Sequence, residues 1–258
     1  MKLTFLGTGT SFGVPQLGCG CAVCNSSDPR DRRTRVGAVV ETDAGATILI
    51  DTPPELRLQL LREQVARVDA VLFTHDHADH IAGIDDVRAI TTRLRTHMPM
   101  FGSRETLDAL RRRYAYIFDD SYQVAADTSK PQARLTEVEP FVPFVAAGAE
   151  VTALPVPHGA LTVFGYRIGP IAYITDAKSI PPAVVDQLRG VEVLVLNALF
   201  HRPHSSHLSF SEAVAVAREI GARQTWLTHL SHENSHAALA AELPPSIQPA
   251  WDGLAVTI

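Results

Sequence analysis

Residues 75 to 80, His-Asp-His-Ala-Asp-His, put three imidazoles and two carboxylates into six consecutive positions. They follow the apolar run Ala70-Val71-Leu72-Phe73, which reads as a buried strand. Polar and charged groups crowded at the mouth of such a strand are costly unless something pairs with them. Neutral imidazole and carboxylate oxygen are favoured ligands of zinc and other divalent transition metals. The i, i+2 spacing of His75 and His77 sends both rings to one side of an extended backbone. Asp79 and His80 follow as the chain turns into a helix, so the motif can feed two adjacent ions. Two ions need further donors, and these are expected at other strand ends. His158 closes ALPVPH, Asp176 closes IAYITD and His229 closes TWLTH. The expected sets are His75, His77 and His158 for one ion, and Asp79, His80 and His229 for the other, with Asp176 bridging. Taken singly, each residue would more often be a hydrogen-bonded core group; together, at matching strand ends, they point to a dinuclear centre.

A second cluster lies near the N-terminus. All three cysteines of the chain, Cys19, Cys21 and Cys24, sit in GCGCAVC. An odd, clustered set does not suit a disulfide framework, whereas thiolates at this spacing can grip one zinc from a single loop. A closed tetrahedral site needs a fourth ligand, and His232, three residues after His229, is the best placed. The plain alternative is three free thiols in a glycine-rich loop.

The elements that must hold these residues alternate. KLTFLGTG, VGAVVETD and ATILIDT read as strands, PPELRLQLLREQ as a helix opened by prolines, and DAVLFTH as the buried strand before the motif. HIAGIDDVRAITTRL and the Arg104–Phe118 stretch carry helical periodicity, flanking the strand MPMFGS. Residues 119–147 lack clear periodicity, and LTEVEPFVPF looks like a proline-broken strand in a covering loop. Three more strands end at His158, Gly169 and Ala177; PPAVVDQLRG and SFSEAVAVAREIG are helical, and EVLVLNAL, QTWLTHL and GLAVTI are strands. The pattern suits two sheets packed face to face with helices outside, in a single domain spanning residues 1–258.

The chain has 258 residues, 46% hydrophobic and 20% charged, with a formal net charge of −5. This is ordinary for a globular protein, and no run approaches the roughly 20 apolar residues of a membrane helix. The opening MKLTFLGTGT reads as a strand entering a glycine turn, not a secretory signal, so a cytoplasmic location is expected. A global basic face for gripping long nucleic acid is absent. The local run Arg111-Arg112-Arg113 reads as a solvated helix face, and His97 and His236 as ordinary surface histidines.

THDHADH, together with His158, Asp176 and His229, resembles the metallo-β-lactamase-fold hydrolases over essentially the whole chain, with TFLGTGTS matching the opening strand and turn and ILIDT the first motif. The resemblance implies an αββα sandwich with a dinuclear site at one edge, and gives Asp51 a supporting role, hydrogen-bonded to the motif loop. The added GCGCAVC loop is similar to the phosphodiesterase branch, above all the phosphoribosyl cyclic-phosphate phosphodiesterase-like enzymes. That branch implies two active-site manganese or zinc ions and a separate structural zinc on Cys19, Cys21, Cys24 and His232. It also carries a histidine that binds phosphate or protonates the leaving group.

The chemistry expected is hydrolysis of a small or cyclic phosphodiester or nucleotide. Two cations lower the pKa of a bridging water and clamp the phosphate oxygens, with Asp79 helping to hold the attacking oxygen. The leaving group needs a proton, and HRPHSSHLSF offers His201, His204 and His207. His207 is preferred because it precedes a helix start, where backbone N–H groups attract phosphate; Ser209 or Ser211 is the expected N-cap. An RNase Z-like or exonucleolytic nuclease is the alternative. A thioester or lactam hydrolase and a non-catalytic metal-binding module complete the alternatives. No membrane partner and no long nucleic acid are expected, and a homodimer is common in the family.

Overall fold

The computed structural model describes residues 1–258 except Asp120, Gln123 and Ala126. Strands β1 (Lys2–Gly7), β2 (Gly37–Glu41), β3 (Thr47–Ile50), β4 (Ala70–Leu72), β5 (Met98–Gly102) and β6 (Ala133–Glu137) build one sheet. Strands β7 (Pro143–Ala146), β8 (Ala149–His158), β9 (Leu161–Ile168), β10 (Ile171–Ile174), β11 (Val193–Asn197), β12 (Gln224–Thr228) and β13 (Ile247–Pro249) build the other, and β14 (Ala255–Thr257) returns to the first. The orders are β14-β1-β2-β3-β4-β5-β6 and β13-β12-β11-β10-β9-β8-β7. In each sheet four consecutive strands are parallel, β3 to β6 and β10 to β13.

Alternation along the strands explains the layers. In β3, Ile48 and Ile50 face the other sheet, while Leu49 faces outward; in β10, Ile171 and Tyr173 face inward while Ala172 and Ile174 face outward. Both faces are apolar because both are covered, as parallel sheets require. Helices α1 (Leu56–Arg62), α2 (Ala78–Ile81), α3 (Val87–Leu94), α4 (Arg104–Arg113) and α5 (Ala115–Phe118) lie along the first half of the chain. Of these, α1, α3 and α4 bury Leu56, Leu60, Val87, Leu107 and Leu110 on the outer face of the first sheet. Helices α6 (Pro182–Gln187), α7 (Phe210–Ile220) and α8 (His236–Glu242) cover the second with Val184, Phe210, Ala213 and Leu239. Two mixed sheets between helical layers form the αββα sandwich of the metallo-β-lactamase fold.

Four elements differ from the sequence expectation. The prolines of PPEL precede α1, because two backbone hydrogen bonds at Thr52 (Thr52 N to His80 O, 2.7 Å; Gly83 N to Thr52 O, 2.8 Å) hold the chain extended there. The helix expected over residues 80–94 breaks into α2, a 3₁₀ turn and α3. Gly83 passes so close to Pro53 that a Cβ there would lie 2.1 Å from the Pro53 carbonyl oxygen. The Arg104–Phe118 helix breaks at Tyr114. LTEVEPFVPF is no cover: its first half pairs as β6 at the edge of one sheet, and Pro143 opens β7 at the edge of the other, where a missing N–H is tolerated. Of the aperiodic stretch 119–147, Asp120, Gln123 and Ala126 lie outside the described residues.

Candidate metal centres

The carboxyl ends of β3, β4, β10 and β12 converge on one edge of the sandwich, and each delivers a polar side chain there. Asp51, Asp176 and His229 follow directly or closely on these strands with φ of 62°, 59° and 58°. A non-glycine residue in the left-handed region costs about 1–2 kcal/mol, held here by the surrounding sheet. That turn ends the strand and swings the side chain toward the site. After β4, Phe73 and Thr74 lead into His75; His77 stays extended (ψ 150°) as the N-cap of α2, whose single turn carries Asp79 and His80.

Asp176 is the hub. Its Oδ2 lies 3.9 Å from His75 Nε2, 3.9 Å from His158 Nε2 and 3.6 Å from His80 Nε2, and its Oδ1 lies 3.5 Å from His229 Nε2. The donor atoms of His75, His77, His158 and Asp176 all fall within 4.8 Å of one another, as do those of Asp79, His80 and His229. Asp79 Oδ2 is 3.5 Å from His80 Nε2 and 3.9 Å from His229 Nε2. The structure therefore brings together every residue of the two expected sets, on the two expected sides of Asp176.

Three hydrogen-bond chains turn the imidazoles inward. His80 Nδ1 donates to Asp51 Oδ2 at 2.7 Å. His75 Nδ1 donates to Thr74 Oγ1 (3.0 Å), whose hydroxyl donates onward to Asp51 Oδ2 (2.8 Å); Asp51 also accepts the Thr74 N–H. His158 Nδ1 donates to the Ser206 carbonyl at 2.9 Å. Each of these rings thus has its Nδ1 engaged and turns its Nε2 toward the centre. The Nε2 atoms of His75, His80 and His229 are buried and have no hydrogen-bond partner. Orphaned buried acceptors are rare because each forfeits its hydration. Here they surround carboxylates at spacings suited to sharing a cation.

The electrostatics agree. Burial disfavours charge on His80, but Asp176, Asp51 and Asp79 together hold its pKa well above the imidazole range. Asp176 is fully buried, yet His229 and His80 keep it well below the carboxylate range. The cluster asks for compensating positive charge, which divalent cations supply. The residues present fit them.

His207 sits at the rim, Nε2 3.3 Å from Asp176 Oδ2, and burial pulls its pKa down to about 4 against the opposing pull of Asp176. The expected helix N-terminus behind it is already occupied. Ser209 caps α7 in a reciprocal box with Glu212, which consumes the N–H groups of Ser209 and Glu212. What faces the centre here is the His207 ring and not a free helix terminus. His201 is exposed, bonded to Asn234 (3.1 Å). Contrary to expectation, His236 is no surface residue: 3% exposed, it packs edge-on against Trp251. Arg111, Arg112 and Arg113 are exposed, as a solvated face requires, and Arg113 also reaches the motif loop. Its guanidinium bonds the Asp76 carbonyl and lies 3.0 Å from the Asp76 carboxylate, bracing the motif loop. Sequence reasoning missed Thr74, Ser206 and Arg113; only the Thr immediately before the motif carried any signal.

The cysteine cluster forms a separate group. His232 Nδ1 lies 3.3 Å from Cys19 Sγ, 3.4 Å from Cys21 Sγ and 3.6 Å from Cys24 Sγ. Backbone N–H groups of Cys24 and Gln16 point at Cys21 Sγ (3.4 Å) and Cys24 Sγ (3.3 Å). The Cys24 N–H and the His232 ring bring the Cys21 thiol down to about 6, while burial pushes Cys24 up to about 11. Three sulfurs and one nitrogen make a fitting donor set for a closed zinc site. Arg33, buried, bonds the Ser231 carbonyl and, at 3.0 Å, the Asn234 carbonyl, fixing the loop that carries His232.

The model of the beta-lactamase superfamily domain matches residues 46–230. The chain belongs to that superfamily, as a metallo-β-lactamase-fold hydrolase. Within the class it belongs to the PhnP-like branch: a crystal structure of a "new diphosphatase from the PhnP family" superposes with a TM-score of 0.91 at 40% identity, covering 100% of this chain and 97% of that one. A Porphyromonas gingivalis protein named octanoyltransferase is 38% identical over 263 residues, and this chain, matched in full, spans 52% of its length. A ribonuclease Z of Methanopyrus kandleri is 29% identical over 278 residues, covering 94% of this chain and 96% of that protein. Among the described residues, no helix is long and apolar enough to cross a membrane.

Proposed function

We propose that this protein is a metal-dependent phosphodiesterase acting on a small or cyclic phosphodiester, such as a phosphoribosyl cyclic phosphate or a nucleotide. The observation that carries the reading is the ring of inward-turned imidazoles around Asp176, with His207 at its rim. His75, His77 and His158 would hold one ion, Asp79, His80 and His229 a second, and Asp176 both; manganese and zinc suit these donors, and Cys19, Cys21, Cys24 and His232 suit a structural zinc. When bound, a pair of divalent cations supplies Lewis acidity that activates water and neutralises phosphate charge.

The chain's own residues do the rest. Asp79, held ionised because His80 and His229 outweigh the effect of burial, accepts a hydrogen bond from the attacking water and orients it. His207 Nε2 points into the centre, where the negative charge of a bound phosphodiester opposes the burial that lowers its pKa and lets it give a proton to the departing oxygen. A cavity of about 480 Å³ opens beside His75 and Asp76, between Ser103 and Arg104 on one side and Leu161 and Phe164 on the other. Its size suits the non-reacting arm of a nucleotide-sized ester.

The octanoyltransferase name belongs to a protein twice this length and adds nothing at this site. An RNase Z-like or exonucleolytic activity is a second reading, favoured by the full-length similarity to a ribonuclease Z. The acidic net charge of −5 favours small substrates over long RNA. The test is bis-p-nitrophenyl phosphate, a 2′,3′-cyclic nucleotide, a short RNA, nitrocefin and S-lactoylglutathione assayed side by side with added manganese or zinc. Turnover of the phosphodiesters and of neither nitrocefin nor the thioester is expected; the reverse pattern overturns the reading. His207→Ala should keep the metals and lose most turnover of the cyclic nucleotide, whose alkoxide leaves poorly.

A further inference from the structure

The cavity of about 480 Å³ beside His75 has two unlike walls, each fixed by backbone hydrogen bonds. Strands β5 and β6 run parallel with Gly102 opposite Glu137, so the first turn of α4 and residues 137–140 leave the sheet side by side. The Val138 N–H donates to the Gly102 carbonyl (3.1 Å) and the Phe141 N–H to the Ala153 carbonyl (2.9 Å), which holds that segment down. Opposite stands the β8–β9 hairpin. Phe164 pairs there with Pro155 and donates its N–H to the Thr74 carbonyl at 2.9 Å, one residue before His75. Leu161, Val163 and Phe164 make this second wall apolar. Buried His75, whose Nε2 has no hydrogen-bond partner, joins the cavity to the candidate centre.

The first wall is acidic. Among the described residues that line the cavity, Arg104 is the only guanidinium or ammonium, against the carboxylates of Asp76, Glu105, Glu137 and Glu139. Arg104 is already engaged, its Nε donating to Glu137 Oε1 at 3.2 Å. Asp76 is answered from outside by Arg113 at 3.0 Å. That leaves Glu105 and Glu139 with no cation in the cavity, and carboxylates accept hydrogen bonds while repelling anions.

We infer that this cavity selects an ester whose non-reacting arm is an uncharged nucleoside and rejects one that carries a second phosphate, with Glu137 and Glu139 as the specificity-determining residues. This substrate class rests on the reading of the centre as a phosphodiesterase. The hydroxyls of a ribose and the amino group of a base supply the donors that the carboxylates lack, and the flat base lies against Leu161 and Phe164. A terminal phosphomonoester brings only acceptors and added negative charge, and meets no free cation. Glu137 acts twice: it adds negative charge and it holds Arg104 away from any phosphate. Discrimination of this kind comes from the unpaired charge set against the wrong arm.

The probe is adenosine 2′,3′-cyclic phosphate and the same molecule carrying a 5′-phosphate, assayed side by side with added manganese. The nucleotide without the 5′-phosphate should be favoured about tenfold in kcat/KM, with the difference in KM. The preference should shrink as salt rises from about 0.05 M to about 0.5 M, because exposed charges are screened. Glu139→Gln should narrow it severalfold, and Glu137→Gln, which also loosens the hold on Arg104, should abolish or reverse it. Arg104→Ala should leave the preference in place. Equal use of both nucleotides, or a preference for the 5′-phosphate that Arg104→Ala removes, overturns the inference and spares the phosphodiesterase reading. A preference that neither salt nor the glutamine variants move is steric and overturns it too. Turnover of neither nucleotide overturns the phosphodiesterase reading and this inference with it.

Discussion

The two candidate metal groups both gather metal-competent side chains and differ in almost everything else. Around Asp176 the donors come from four places along the chain, lie at the ends of packed strands, and five of the seven are buried; His75, His80 and His229 are 3%, 0% and 3% exposed. Around His232 the donors come from one surface loop plus a single histidine. In the first group, neighbouring residues tie off the outer ring nitrogens of His75, His80 and His158, and the inner nitrogens of His75, His80 and His229 have no hydrogen-bond partner. In the second, backbone N–H groups point at two of the sulfurs and the four donors close on themselves. A ring of bare acceptors around carboxylates, with a cavity beside it, is built for exchangeable ligands. A closed knot of three sulfurs and an imidazole suits holding a loop in place.

That contrast can be broken at several points. The largest effect should come from Asp176→Asn, which removes the carboxylate shared by both sides of the centre. Turnover should vanish, and added manganese or zinc should no longer raise the melting temperature. Retained turnover would show that Asp176 is not the hub. Cys21→Ser should do the opposite: total zinc falls by one ion per chain and the melting temperature by several degrees, while kcat on a phosphodiester is kept. Metal content equal to wild type would merge the two groups into one function. Asp51→Asn comes next. Asp51 contacts only the outer nitrogen of His80 and the Thr74 relay, so a loss of about 10–100-fold in active-site metal affinity is expected, read by chelator titration.

The smallest effect concerns acid stability near the cysteine knot. Burial holds the His236 imidazole below its ordinary pKa, with Arg30 and Arg33 adding to the depression. Below about pH 6.5 the unfolded chain therefore takes up a proton that the folded one refuses, and stability present at neutral pH is lost as the pH falls. His236→Phe should flatten the drop in urea midpoint between pH 7 and pH 5. An unaltered slope would remove His236 from the acid response.

Much of the centre was legible because the ligands interrupt apolar runs: a histidine or aspartate that stops a buried strand is conspicuous in His75, His158, Asp176 and His229. The layers were legible for the same reason, since strands buried on both faces read as continuous apolar segments. What supports the ligands was not. Thr74, Ser206 and Arg113 matter through the direction of one hydroxyl, one carbonyl and one guanidinium, and no spacing rule encodes those. The left-handed turns at Asp51, Asp176 and His229 are imposed by the sheet rather than by residue type. His236 was misplaced because a lone histidine in a polar stretch carries no sign of the Trp251 ring that covers it, and the helix breaks at Gly83 and Tyr114 follow from tertiary contacts that periodicity does not see.

The central claim is that one group of ligands does chemistry and the other holds structure. Graded chelation tests it most directly, with metal content, turnover and melting temperature followed on the same sample. Two ions per chain should leave first and take turnover with them, and a third, a zinc, should leave later and take the stability. Turnover that survives the loss of the first two ions, or that tracks the third, would contradict the account.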